Sequence, residues 1–452
     1  MTARYRRLST SRRLLLAAVF ALLTSGVAAV AVFAGDESLP GDEGAVPNRI
    51  AAIGPDVVVF SFTDIGNYGS SGGYAGYAIG TRSCNRGDSP LNWCDQGSGC
   101  AAGAGPEDHP VIAQNLYRLK SGRFEQVGMS WLKHGFTSTN STTAGCSGAQ
   151  GQSCTTPPAF GNQLGVGCTD PYGSSLNGSR PLGKRSEVNA TTGVFPWPYT
   201  QVGGPYTVYD QRLKVATTDL DSALNPGATY FAEAQYIAGD DALQGNSLNN
   251  ASYRQVTVGA ATTYALSQSG TFFEKQPAID AWKAADPTVS QLNVDVPGNP
   301  TERYQMAWKV TDLGGGLWHY EYVVRNHNSD RNARALTITF PLPTTFSAIG
   351  FKDVDSHSGE AYSTTDWSVA TTADQVSWFT DTFAVDPNAN ALRFATMYNF
   401  WFDADQPPAD SILYSLELFK PGSPSAMTFY KVNDLFANGF ESGATTAWSA
   451  TN

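Results

Sequence analysis

His109 to Phe136 reads HPVIAQNLYRLKSGRFEQVGMSWLKHGF. Two runs carrying β-branched and aromatic residues flank Ser121-Gly122, and glycine in a two-residue loop supplies the positive φ that a tight strand reversal requires. The stretch therefore reads as one long β-hairpin. With Ser121-Gly122 as the loop, Lys120 faces Arg123, Leu119 faces Phe124 and Arg118 faces Glu125, pairings that suit one another in size or charge. Continued outward, the count sets His109 opposite His134. Directly opposed residues hold their Cβ atoms about 4.5–5.5 Å apart, so two imidazoles there could share a zinc or copper ion if a carboxylate or third nitrogen joined them. The plainer alternative is two ordinary histidines at the base of a hairpin, and one bulge would break the pairing.

The six cysteines bracket this hairpin: Cys84, Cys94 and Cys100 before it, Cys146, Cys154 and Cys168 after it, all within 85 residues. Each side holds an odd number, so full pairing requires at least one bridge across the hairpin. A thiolate metal site is disfavoured because no CxxC spacing occurs.

Residues 1–34 contain five arginines, no acidic residue, and an apolar run from Leu14 to Ala34 broken by Thr24, Ser25 and Gly26. This pattern reads as a signal peptide and implies an oxidising, secreted or cell-surface destination, with an uncleaved anchor as the alternative. Without those residues the chain carries 29 − 5 = 24 Lys+Arg against 40 Asp+Glu, a net charge of −16. A surface of that sign excludes nucleic acid and anionic lipid as natural partners. No other stretch is long and apolar enough to span a membrane.

Residues 35–50 read as a flexible acidic leader, 51–262 as a disulfide-tied, loop-rich β domain, and 263–300 as a connector with one helix. In that helix, EKQPAIDAWKAAD from Glu274 to Asp286, Ile279 and Trp282 share a face. Residues 301–432 carry strand runs of five to twelve residues separated by Gly, Pro, Asn and Asp turns, which is β-sandwich spacing. The expectation is an all-β protein of two sandwich-like domains joined by one short helix, with a tail at 433–452. Along LWHYEYVVRN, Trp318, Tyr320, Tyr322 and Val324 form a core face, while His319, Glu321, Val323 and Arg325 face the other way. In TYFAEAQYI, Glu233 likewise sits one pleat from an aromatic face.

Three further groups carry possible chemistry. FKDVDSHSGE places Asp353, Asp355, His357 and Glu360 within eight residues, a set suited to a divalent cation or to acid/base work, or else a simple turn. GDDALQGNSLNN, with Asp240 and Asp241, resembles a calcium loop but lacks the twelfth-position glutamate of an EF-hand. Asp170, Arg185 and Glu187 are the notable polar residues of the long loop region that follows the hairpin. The string Gly69-Ser70-Ser71-Gly72-Gly73 has G-x-S-x-G form but no helix signal follows it, so it reads as a simple turn, and no HExxH and no unpaired cysteine marks a protease metal site or a thiolate nucleophile.

Several segments resemble a family of uncharacterised secreted bacterial proteins: LGVGCTDPY, EVNATTG, NNASYR, QPAIDAWKAADP, DVDSHSGE, DPNANALRF and TMYNFWFDAD. The resemblance spans most of the chain after residue 34. A histidine often precedes the DV of DVDSHSGE in that family, and Lys352 stands here instead, which weakens a metal role for this segment. The tail from Leu435 to Ser449 resembles the GFESG...WS ending of many exported bacterial proteins. Two functional expectations follow. The first is a secreted or surface β-sandwich protein of binding or structural type, whose aromatic-lined faces suit extracellular polysaccharide or matrix. The second is a metal-dependent extracellular hydrolase or oxidase that uses copper, zinc or calcium.

Overall fold

A computed structural model describes residues 54–94, 100–105, 107–179, 181–357 and 359–431. The signal segment, the acidic leader and the tail from 433 lie outside the described residues. The fold is all-β, built from antiparallel sheets with few and short helices.

The strands of the first unit are β1 (Val57–Ser71), β2 (Tyr74–Asn85), β3 (Val111–Lys120), β4 (Arg123–Met129), β5 (Leu213–Ala216), β6 (Thr229–Ile237), β7 (Ala251–Val258) and β8 (Leu266–Phe273). They form one sheet in the order β1-β2-β5-β4-β3-β6-β7-β8, extended to ten strands by the short pieces Lys133–His134 and Thr169–Tyr172. The sheet curls until its two edges meet. The Asn67 side chain on β1 donates to Leu266 O at 3.1 Å and accepts from Leu266 N at 2.7 Å, and Ser252 Oγ on β7 donates to Val59 O at 2.6 Å. Curling encloses a core of Val57, Val59, Tyr77, Ile79, Leu116, Tyr230, Ala234 and Tyr236, residues two apart along their strands.

The second unit is a sandwich. One sheet holds β9 (Ser290–Val296), β10 (Asn299–Gly314), β11 (Leu317–Asn326), β12 (Phe346–Lys352) and β13 (Thr396–Ala404), in the order β9-β10-β11-β13-β12. The other has five strands, among them Ala333–Thr339, Gln375–Phe379 and Leu413–Leu418. Tyr320, Tyr322, Phe400, Phe402, Leu336, Trp378 and Tyr414 fill the space between them, the arrangement expected of two sheets burying their apolar faces on each other.

The stretch 263–300 contributes β8 to the first sheet and β9 to the second. Its helix is α1 (Asp280–Ala285), shorter than the expected span from Glu274 to Asp286. Lys275 has φ 63° and Pro277 follows, so the backbone cannot be helical before that point, and Pro287 closes the other end.

The units meet over a large buried surface. The outer faces of β3, β4, β6 and β7 pack on the outer faces of β10, β11 and β13 through Tyr117, Phe124, Phe231, Tyr253, Ala307, Val323 and Met397, capped by Ile279 and Trp282 of α1. The face of β11 opposite its aromatic core is thus an interface.

The hairpin follows the expected pairing at its tip, with Lys120 opposite Arg123, Leu119 opposite Phe124 and Arg118 opposite Glu125. Ser121 (φ 52°) and Gly122 (φ 84°) form the two-residue loop. Below Tyr117 the register departs from expectation. Leu116 pairs with Gly128, leaving Val127 in a bulge, and a second slip puts Ile112 opposite Lys133 and Val111 opposite His134. His109 is therefore not the direct partner of His134. Two one-residue slips restore the facing, however, so the imidazoles still meet on the diagonal.

The bridges are Cys84–Cys146, Cys94–Cys100 and Cys154–Cys168, with no free cysteine among the described residues. Cys84–Cys146 is the crossing bridge that the odd count on each side requires. Peptide mapping of the unreduced protein should recover these three pairs and no other. Replacing Cys84 and Cys146 together by serine should cost about 2–5 kcal/mol in a chemical unfolding titration.

Candidate functional site

The hairpin carries one polar centre at its base and another at its tip. At the base, His109 Nε2 lies 2.9 Å from His134 Nδ1, and His109 Nδ1 lies 2.9 Å from Cys94 O. A carbonyl only accepts, so His109 Nδ1 carries a proton. With both rings neutral, His109 Nε2 is then the acceptor and His134 Nδ1 the donor. The two facing nitrogens share one proton, the position a bridging metal would need.

The surroundings are aromatic. Tyr199 stacks on His134 at 3.7 Å between centroids, Phe195 lies 5.0 Å from His109 and 4.9 Å from His134, and Trp197 lies 5.4 Å from His109. Gly183 closes the remaining side, where a Cβ would fall 2.2 Å from His134 Nε2, so only glycine fits. Burial, then the neighbouring His109 and Lys133, push the His134 pKa down to about 2. Burial also lowers Lys133 to about 7, its Nζ donating to Leu176 O at 2.8 Å beneath the Tyr172 ring.

The Asp353/Asp355/His357/Glu360 set is spread over separate partners. Asn390 Nδ2 donates to Asp353 Oδ2, His357 Nε2 meets Arg212 O at 2.9 Å, and Glu360 accepts from Arg185 N at 2.7 Å and Ser186 Oγ at 2.6 Å. Burial raises Asp353 to about 6, with Asp355 adding to the effect. In the candidate calcium loop, Asp240 Oδ2 accepts from Asn92 N at 2.7 Å and Asp241 Oδ1 from Val57 N at 2.8 Å. Among the described residues, no three His, Cys, Asp or Glu side chains converge as a metal-binding group.

Arg185, read as a loop residue, is buried. It donates to Ser130 O (2.6 Å), Gln114 O (3.1 Å) and Asn115 Oδ1 (2.9 Å). Asp170 is also buried, accepts from Thr139 N and Oγ1, and is raised to about 6 by desolvation. Glu187 accepts from Thr200 N at 3.0 Å.

The tip centre is the one open to solvent. A cleft of about 380 Å³ lies where the loop Ser121-Gly122 meets β10 and β11. Trp282 Nε1 on α1 fixes the loop by donating to Gly122 O at 3.0 Å. Arg123 sends Nε and Nη2 to Glu321 Oε2, at 2.9 and 2.7 Å, and lies 3.8 Å above the Trp401 ring. Arg118 Nη2 donates to Glu125 Oε2 at 2.6 Å and its Nη1 to Asp219 Oδ1 at 3.0 Å. Lys309 pairs with Asp286 at 2.6 Å, and Lys120 Nζ reaches Leu224 O and Asn225 Oδ1.

His319 completes the wall between two carboxylates. Its Nδ1 lies 2.6 Å from Asp403 Oδ1 and its Nε2 3.5 Å from Glu321 Oε2. The Glu321 contact first, and that of Asp403 with it, outweigh burial and raise its pKa. Desolvation would raise Glu125, but Lys352 and Arg118 overcome it and hold that carboxyl below its usual value. Sequence reasoning named none of these as site residues. The signal was the second face of LWHYEYVVRN, where His319 and Glu321 alternate with core aromatics.

The base centre has a definite pH signature. Unfolded His134 binds a proton below about 6.5, whereas the folded ring stays neutral down to about 2. Between those values the unfolded state holds more protons, so stability falls as pH falls. Urea unfolding at pH 7 and pH 5 should show a loss of about 1 kcal/mol per pH unit below 6.5 from this residue, a loss that His134→Gln removes. The chain matches no protein-family model and no curated protein sequence.

Proposed function

We propose that this chain is an exported β-protein of binding type, akin to the secreted family its motifs resemble. Its ligand is a polyhydroxylated one, of saccharide chemistry, taken in the cleft at the hairpin tip. The observation that carries this reading is the wall of paired charges. Arg123–Glu321 and Arg118–Glu125 set rigid donors beside rigid acceptors around about 380 Å³, a volume within the small-ligand range. A sugar hydroxyl donates and accepts at once, so it uses both members of such a pair. The ion pairs hold these groups before any ligand arrives, which lowers the ordering cost of binding.

Export is supported by the arginine-rich apolar leader and by three disulfides, which persist in oxidising compartments. Among the described residues no helix is long and apolar enough to cross a membrane.

The test is a saccharide array probed with the full chain, followed by calorimetry on any hit. Arg123→Ala and Glu321→Ala should each weaken binding at least about tenfold, the loss of one charge-assisted pair, with Lys120→Ala giving a smaller loss. An array without hits, or hits unaffected by all three substitutions, would contradict the proposal.

A further inference from the structure

One cation of the tip cleft has no carboxylate of its own. Arg123 is paired with Glu321, Lys309 with Asp286, and His319 lies against Asp403. Arg118 and Lys352 share Glu125 and Asp219, at 2.6 and 3.0 Å from Arg118 and at 3.4 and 4.0 Å from Lys352. Lys120 differs from all of these. Its Nζ donates to Leu224 O at 2.8 Å and to Asn225 Oδ1 at 3.0 Å, both of them neutral acceptors.

Asn225 fixes this arrangement. The residue is 5% exposed, and its Nδ2 donates to Thr218 O at 2.7 Å and to Asp221 O at 3.0 Å. Carbonyls only accept, so the amide cannot be turned over and its Oδ1 stands toward the hairpin. There it accepts from Lys120 Nζ and also from Arg118 Nη1, the latter at 2.7 Å. Two side chains two residues apart on one face of β3 thus bring their positive charges to a single neutral oxygen. Like charges so placed repel. Glu125 and Asp219 offset Arg118, whereas the partners of Lys120 bring no charge. An ammonium has three N–H donors, and two are spent here. The third is left for a group in the cleft, which Lys120 helps to line.

Resting on the saccharide reading of this cleft, we propose that its ligand is an acidic saccharide, whose anionic group, a carboxylate or a sulfate ester, accepts from Lys120. The neighbouring hydroxyls of the same sugar use the Arg123–Glu321 and Arg118–Glu125 pairs. An anion supplies the countercharge that Leu224 O and Asn225 Oδ1 do not, in a charge-assisted hydrogen bond about twice as strong as a neutral one. The two carboxylates of the lining, Glu125 and Glu321, are each tied to an arginine, so neither presents an uncompensated negative charge to the ligand. The whole chain is acidic, at −11, but exposed charges farther off than about 8 Å are largely screened at physiological salt. A ligand in the cleft therefore responds chiefly to its walls.

The test probes the full chain by calorimetry with matched pairs of oligosaccharides. Uronate-bearing oligomers of several stereochemistries are each set against their methyl esters, and sulfated oligomers against their desulfated forms, so that within a pair only the charge changes. The charged member of at least one kind of pair should bind about fivefold more tightly, the difference between a charge-assisted and a neutral hydrogen bond. Which kind shows it distinguishes carboxylate from sulfate. Lys120→Gln should bring the two members within about twofold of each other. Neutral members that bind as tightly as charged ones overturn this inference and leave the saccharide reading standing, and a preference that survives Lys120→Gln overturns the assignment to Lys120. Absence of binding by any sugar, charged or neutral, overturns the saccharide reading and this inference with it.

Discussion

The ion pair between Glu233 on β6 and Arg325 on β11 joins the two units at a point that water does not reach. Both side chains are 0% exposed and their atoms lie 3.1 Å apart. Burying two charges costs several kcal/mol per ion, and the cost is offset only when the remaining hydrogen-bonding capacity is also met. Here it nearly is. Glu233 accepts from Asn115, Tyr117, Arg325 and the Ala278 amide. Arg325 donates also to Gln235, Gln305 and His327 Nδ1, leaving only its Nε unpartnered. His327, kept neutral by burial, passes the link on through Nε2 to Ser247 O. Such a network tolerates one arrangement of the two sheets, because any slide leaves a buried charge unmatched. The tip cleft follows from it: with β6 and β11 fixed, the hairpin tip stands over β10 and β11, and Arg123 reaches Glu321.

Much of this was legible in residue alternation. Tyr230, Ala232, Ala234 and Tyr236 read as one face and proved to be core, and the same holds for Tyr320, Tyr322 and Val324. What alternation cannot say is what lies against the opposite face. Alternation puts Glu233, Val323 and Arg325 on the faces turned away from the core aromatics, and although charged residues are rarely buried alone, Glu233 and Arg325 each supply the partner that the other lacks. A pair separated by 92 residues leaves no local trace. Arg185 was hidden for the same reason, sitting in an aperiodic loop while its guanidinium is held by carbonyls of the hairpin.

The hairpin shows the other limit. Its loop and first pairings followed from glycine chemistry and from matched side chains, and the odd cysteine count on each side required a bridge across it. Register farther out depended on bulges. Val127 has no sequence mark that distinguishes it from a paired strand residue, so the direct opposition of His109 and His134 did not hold although their contact did. Of the two centres on the hairpin, the base is enclosed by Phe195, Tyr199 and Gly183. The tip is open, and it is there that binding is proposed.

The account rests on the two units being locked by the buried pair, and a double-mutant cycle on Glu233→Gln and Arg325→Gln followed by urea unfolding tests that most directly. Each single substitution should cost about 3–5 kcal/mol, the penalty for an uncompensated buried charge, with the double mutant recovering a large part of the sum. Single mutants within about 1 kcal/mol of the wild type, with additive effects in the double, would show that the pair does not hold the units together.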